Sequence, residues 1–474
     1  MRINETFQYL NTGLPEDILR RKLYGDFEGA VRLIDRRLSK EHLPHALRCC
    51  LLAQREMILR LPEDYPYSRA EALGILREYI PDFTEEEFDQ RVDDGKIGWI
   101  YVHGEMRFFN RFFQTMCKSE PEFAVRAGIS MSGAESAVKG SKGDGRLDRC
   151  MRIMKEKGSI CNRIRIRASL RIKEEFFTPG MFVRAHLPIP AACEQQSEIR
   201  IEKIFPESGQ IAPENALQRT VCWEENMAEN HAFVVEYSYL HRASFHDTEN
   251  PHLILQKPGG VFSIENEQLE SFTVEEAPHI VFTPYIRELT DSLTLGLTEP
   301  LEKARSFYDF ITCNMKYTFM PAYFSRESIA ENCARSFTGD CGVFALLFLT
   351  LCRCAGIPAR WQSGLAVEPD FCGGHDWVQF YAEPYGWLYA DTSYGIGAVR
   401  AENEERRKFY FGNLDAYRMV CNNAFQAPFT IDKDHWRADP YDNQVGEMET
   451  GERGLRYEEF ERTKEVVTFE ELPE

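Results

Sequence analysis

Up to Glu122 the apolar positions recur at helical spacing. "GDFEGAVRLIDRRLSK" places Phe27, Ala30, Val31, Ile34 and Leu38 on one face, and "HALRCCLLAQREMILRL" and "SRAEALGILREYI" repeat the period. The alternation of "GWIYVHGEMRFF" around His103-Gly104 predicts a short hairpin. Residues 1–126 therefore form a helical N-terminal domain with one hairpin, and 127–150, poor in large apolar side chains and rich in Gly, Ser and Ala, form a linker. Alternating or β-branched runs then follow, among them "RIRIRASLRI", "MFVRAHLPIP", "SEIRIEKIFP", "HAFVVEYSYL" and "SFTVEEAPHIVF". They predict an antiparallel β-sandwich over 151–283. From Pro284 the pattern turns to α+β. A helix opens near Pro300, and a second, apolar nearly all round, runs from Cys341 to a stop at Gly356 and Pro358. Strand-like "ARWQSGLAV", "HDWVQFYAE" and "GWLYADTS" come next, which makes 284–421 one α+β core. The remainder, 422–474, is a polar extension wrapping the preceding domain through anchors such as Trp436. The fold class is multidomain α+β.

Composition narrows the function. A chain of 474 residues, 43% apolar and 28% charged, exceeds one ordinary core. No window approaches the roughly 18 to 20 apolar residues of a membrane span, so no membrane partner is expected. The N-terminus has no hydrophobic leader, and the fourteen scattered cysteines read as reduced thiols, so the expected location is cytoplasmic. A net charge of −19 argues against nucleic acid as a partner. The helix-then-hairpin order of the first domain is therefore read as a packing or protein-partner module rather than a winged helix on DNA. Arg163, Arg165 and Arg167 alternate with Ile164 and Ile166 on one strand face, which is solvated or docks an acidic partner. No cofactor and no metal are expected, since Cys372 and His375, even with Cys341, lack a fourth ligand.

The chemistry centres on "TGDCGVFALLFLTLCRCAGIPAR". Burial fixes this helix, so a thiol on its first turn faces unpaired N–H groups and the positive end of the dipole, both of which favour thiolate. Gly339 and Gly342 leave room for a substrate backbone, whereas the charge of Asp340 opposes thiolate if it points at the sulfur. The alternative is a core cysteine. Its base would be His375, at the start of a strand run that turns at "EPYG" and ends in Asp391; the two strands make His375 and Asp391 neighbours, a base and its orienting carboxylate.

The order Cys, His, Asp, with the long helix ending "CRCAGIPAR" and with "HDWVQFY…GWLYADTSYG" downstream, resembles the transglutaminase-like superfamily of papain-type enzymes, in its bacterial cysteine-protease branch. The resemblance covers Pro284 to Val420, including the closing "FYFGNLDAYRM". It implies Cys341 as nucleophile, His375 as general base and acid, and Asp391 as orienter. It also implies an aromatic oxyanion donor from upstream, for which Tyr317 is the candidate beside the Cys341 backbone N–H. The expected activity is acyl transfer from a peptide or protein amide through a thioester, resolved by water in a peptidase or amidase. A protein cross-linker and a non-catalytic scaffold are the alternatives, with the helical region free to select a protein partner.

Overall fold

The computed structural model describes residues 2–129, 145–250 and 269–473. The chain forms two compact units, and neither is continuous in sequence.

The first unit joins residues 1–132 to 276–281 and 315–340. Its helices include Phe27–Leu38, His45–Asp64, Arg69–Tyr79 and Glu85–Asp93. Ser68 with Glu71 and Thr84 with Glu87 close capping boxes on the last two, so both starts are written in the sequence. The expected hairpin is present: β1 (Trp99–Val102) pairs with β2 (Glu105–Phe108), and His103 occupies the left-handed turn at φ 52°. Two apolar clusters fill the unit, one around Ile34, Leu51 and Ile58 and one around Leu76, Phe88 and Phe112. Residues 315–340 were expected inside the α+β core. Here they pack on the N-terminal helices, where Lys22 Nζ and Gln54 Nε2 both donate to Glu327, at 2.6 and 2.7 Å, and Arg60 lies over the Phe324 ring at 3.5 Å.

The second unit holds the sandwich and the α+β core together. The sandwich strands are β3 (Ser159–Ile172), β4 (Met181–Pro188), β5 (Gln196–Phe205), β6 (Gln210–Ile211), β7 (Thr220–Met227) and β8 (Phe233–Ser244). Its two sheets run β17-β3-β8-β5 and β16-β4-β7-β6, so the C-terminal segment supplies one edge of each, β16 (Glu447–Thr450) and β17 (Phe460–Glu471). β17 brings Glu470 opposite Arg163 and Glu465 opposite Arg167, and Arg165 pairs with Glu236 on β8, so the basic stripe is answered by acids of its own sheet. Two expectations change at this level. "SFTVEEAPHIVF" forms a turn with one isolated bridge, Glu276 to Ile280, and β7 takes the place expected for it. The helix Arg146–Lys157 starts inside the expected linker, most of which lies outside the described residues.

The core sheet has the order β14-β13-β12-β11-β15, from β11 (Ala359–Glu368), β12 (Phe371–Ala382), β13 (Gly386–Ala390), β14 (Phe411–Gly412) and β15 (Arg418–Asn422), every pair antiparallel. Helix Cys341–Cys354 packs on it, with Phe348 edge-on to Phe380 at 5.7 Å and Val343 to Leu351 all buried. Two short neighbours, β9 (Lys316–Tyr317) and β10 (Thr338–Gly339), belong to the first unit and pair in parallel. No described helix is long and apolar enough to cross a membrane.

Candidate active site

Chain topology brings the start of the Cys341 helix and the start of β12 to one end of the core. The helix turns at Gly356 and Pro358 into β11, so it runs antiparallel to β11; β11 is antiparallel to β12, so the helix and β12 run the same way. Cys341 is the first helical residue and so stands at the positive end of the helix dipole. Its side chain is partly exposed, unlike the buried Cys352 further along the helix. Asp340, whose charge would oppose a thiolate, accepts a hydrogen bond from the Tyr323 hydroxyl.

His375 stands on β12 opposite Gly364 of β11. β13 ends at Ala390, paired with Val378, and the next residue, Asp391, reaches back along the strand to His375. Their side chains meet at 2.7 Å, Nε2 to Oδ2. With Nε2 donating to a carboxylate, Nδ1 is the ring nitrogen left to accept a proton. The imidazole is 5% exposed and lies between Tyr394 and Trp377, at ring distances of 4.9 and 6.0 Å.

Asp391 is fully buried and its two oxygens have separate tasks. Oδ1 caps the helix Thr392–Arg400 by accepting from the Tyr394 N–H at 2.9 Å, where the helix dipole favours an anion. Oδ2 serves His375 and also faces the Arg418 guanidinium at 2.9 Å. Burial alone would push this carboxyl up, but His375, Arg418 and the helix cap together hold it below the usual aspartate range.

Arg418 is a residue the sequence reading missed. It is wholly buried, ion-paired to Asp415 at 2.6 Å as well as to Asp391, and it packs over Tyr394 and Trp377. Asp415 in turn accepts from the Tyr410 hydroxyl and the Tyr417 N–H, both at 2.9 Å. Burial opposes the charge on Arg418 and on Asp415, yet their mutual attraction keeps both ionised, the arginine well above and the aspartate below its ordinary value. The set Asp391, Arg418, Asp415 carries one net negative charge, which an imidazolium on His375 neutralises. The signal for it was a charged pair three residues apart inside the otherwise apolar "LDAYRMVC".

Tyr317 lies on β9 opposite Gly339, two residues before Cys341 in the chain, and the Lys118 ammonium sits over its ring at 3.8 Å. Cys372 and His375 are three apart on one strand and so point to opposite faces. Cys372 packs against the sandwich cluster, and burial pushes its thiol up to about 11. Among the described residues no group of three His, Cys, Asp or Glu side chains could hold a metal ion. His279 is a core residue whose Nδ1 accepts from the Ile329 N–H, and Trp361, Trp377 and Trp387 are buried.

Comparison with known proteins places one stretch of the chain in a class. Residues 287–392, which contain Cys341, His375 and Asp391, match the family model of the transglutaminase-like superfamily, and this part of the chain is a transglutaminase-like domain. Comparison with curated proteins finds no match. Among solved structures, a "Putative Cysteine Protease" from Cytophaga hutchinsonii is similar over 65% of this chain and 91% of its own, at 13% identity and a TM-score of 0.41. The periplasmic domain of TgpA from Pseudomonas aeruginosa is similar over 54% of this chain and 94% of its own, at 13% identity and a TM-score of 0.28.

Proposed function

We propose that the chain is a cysteine acyl-transfer enzyme that hydrolyses an amide. In this reading Nδ1 of His375 takes the Cys341 proton, and Sγ attacks the substrate carbonyl. The Cys341 N–H and the Tyr317 hydroxyl stabilise the oxyanion. The C–N bond then breaks as the imidazolium returns its proton to the leaving amine, and a thioester remains. Water, deprotonated by His375, attacks that thioester, the C–S bond breaks, and the thiol is regained. Asp391 holds the ring and stabilises its charged form.

The observation that supports this reading is the buried His375–Asp391 pair, with Arg418 and a helix N-terminus on the same carboxylate. The reading places the enzyme in the cytoplasm, where its fourteen unbridged cysteines stay reduced, acting on peptides or proteins.

The test is the pH dependence of Cys341 alkylation by iodoacetamide, followed by peptide mapping. An apparent thiol pKa well below about 8.5, rising in His375→Ala, is expected, and Cys341→Ala should abolish turnover of amide substrates. Slow labelling insensitive to His375 would exclude the thiolate–imidazolium pair. A primary amine added to the reaction separates hydrolysis from cross-linking: carboxylic acid product undiminished by the amine is the expected result.

A further inference from the structure

The first unit contains an open cavity of about 620 Å³. One side is apolar, formed by Leu61, Ile100, Met320 and Pro321; the other carries Arg326, Glu327 and Arg335. Two of these three charges are answered within the protein. Glu327 is held by Lys22 at 2.6 Å, and Arg335 by Glu331 at 2.6 Å. Arg326 differs: among the described residues its guanidinium has no ion-pair partner, and its buried Nε has no hydrogen-bond acceptor. Beside it the buried Ser325 Oγ also has no partner. His279 is kept uncharged by burial first and by the Arg326 charge second, which drive its pKa down to about 3. A guanidinium that is half-buried, without an ion-pair partner and turned to a cavity, with the Ser325 hydroxyl next to it in the chain, is the arrangement that takes a carboxylate.

We propose that this cavity of the first unit binds a peptide bearing a carboxylate, which Arg326 receives while Leu61, Ile100, Met320 and Pro321 cover a neighbouring apolar side chain.

The test therefore measures binding by calorimetry to full-length Cys341→Ala protein. The probes are acetyl-Ala-Ala-Leu with a free C-terminus, its C-terminal amide, and the amidated pair acetyl-Ala-Glu-Leu and acetyl-Ala-Gln-Leu. At least one carboxylate probe is expected to bind about tenfold tighter than its uncharged partner. That preference should vanish in Arg326→Gln and return in part in Arg326→Lys, which guards against a folding defect. Which pair discriminates tells a terminal carboxylate from an acidic side chain. Equal binding within both pairs, a preference untouched by Arg326→Gln, or no binding of any probe overturns the inference. Iodoacetamide labelling of the Cys341-containing protein reports separately on the nucleophile.

Discussion

The side chain of Asp391 serves a helix, an imidazole and a guanidinium at once, so substitutions around it separate orientation from charge. Asp391→Asn keeps the shape but loses the anion. It is expected to lower kcat by about 10² to 10⁴ while Cys341 is still alkylated, more slowly near neutral pH. Asp415→Asn leaves Arg418 with one buried carboxylate and is expected to cost about 3 kcal/mol, measured by urea unfolding at pH 7. The pH dependence follows from the depressed carboxyls of Asp391 and Asp415. Their stabilisation is complete above the unfolded aspartate value of about 3.9 and is withdrawn as pH falls through the lower folded values. The gap between wild type and Asp415→Asn is thus full at pH 7 and starts to narrow as pH falls below about 4; a gap that begins to narrow well above pH 4 would refute this account. The His375–Asp391 contact was legible because each residue sits in a locally distinctive frame, a Gly-Gly before a strand and a strand end. Arg418 and Asp415 were not, because their meaning depends on a partner on another strand.

Among the elements, β15 determines where Arg418 stands, and its contact with β11 depends on one glycine. The two strands shift register between Ser363 and Gly364, and a Cβ at Gly364 would lie 1.9 Å from the Met419 carbonyl oxygen, which is backbone and cannot step aside. Gly364→Ala is therefore expected to push β15 away from β11. The melting temperature should fall by about 5 °C, and iodoacetamide labelling of Cys341 should lose part of its His375 dependence in the protein that remains folded. Unchanged melting and labelling would show that β15 tolerates the displacement. The long core elements were readable from periodicity, since an all-apolar helix has to be buried and "HDWVQFYAE" alternates. β17 was not, because an edge strand with acids facing a basic neighbour carries the composition of a solvated tail.

For the whole molecule, the boundary expected between sandwich and core at 283/284 does not divide the apolar interior. Leu365, Val367, Met419 and Cys421 of the core sheet share one buried cluster with Ile164, Leu170, Trp223 and Tyr237 of the sandwich. Residues 284–421 expressed alone are expected to show no cooperative transition in calorimetry, whereas the full chain shows one or more; a sharp transition in the fragment would prove the core autonomous. Sequence punctuation could not reveal this, because a shared interior leaves no Gly- or Pro-rich mark where one strand set hands over to the next. The same interleaving governs the first unit, where Lys22 grips Glu327 across 305 residues of chain. A ribosome adding about 5 to 20 residues per second needs roughly 15 to 60 s to travel that span. The N-terminal helices therefore emerge well before the segment that completes them, and the His375, Asp391 and Arg418 cluster forms only once Arg418 has been added. On the acyl-transfer reading, the Cys341 thiol of a nascent chain therefore stays without its base until those later strands have been made.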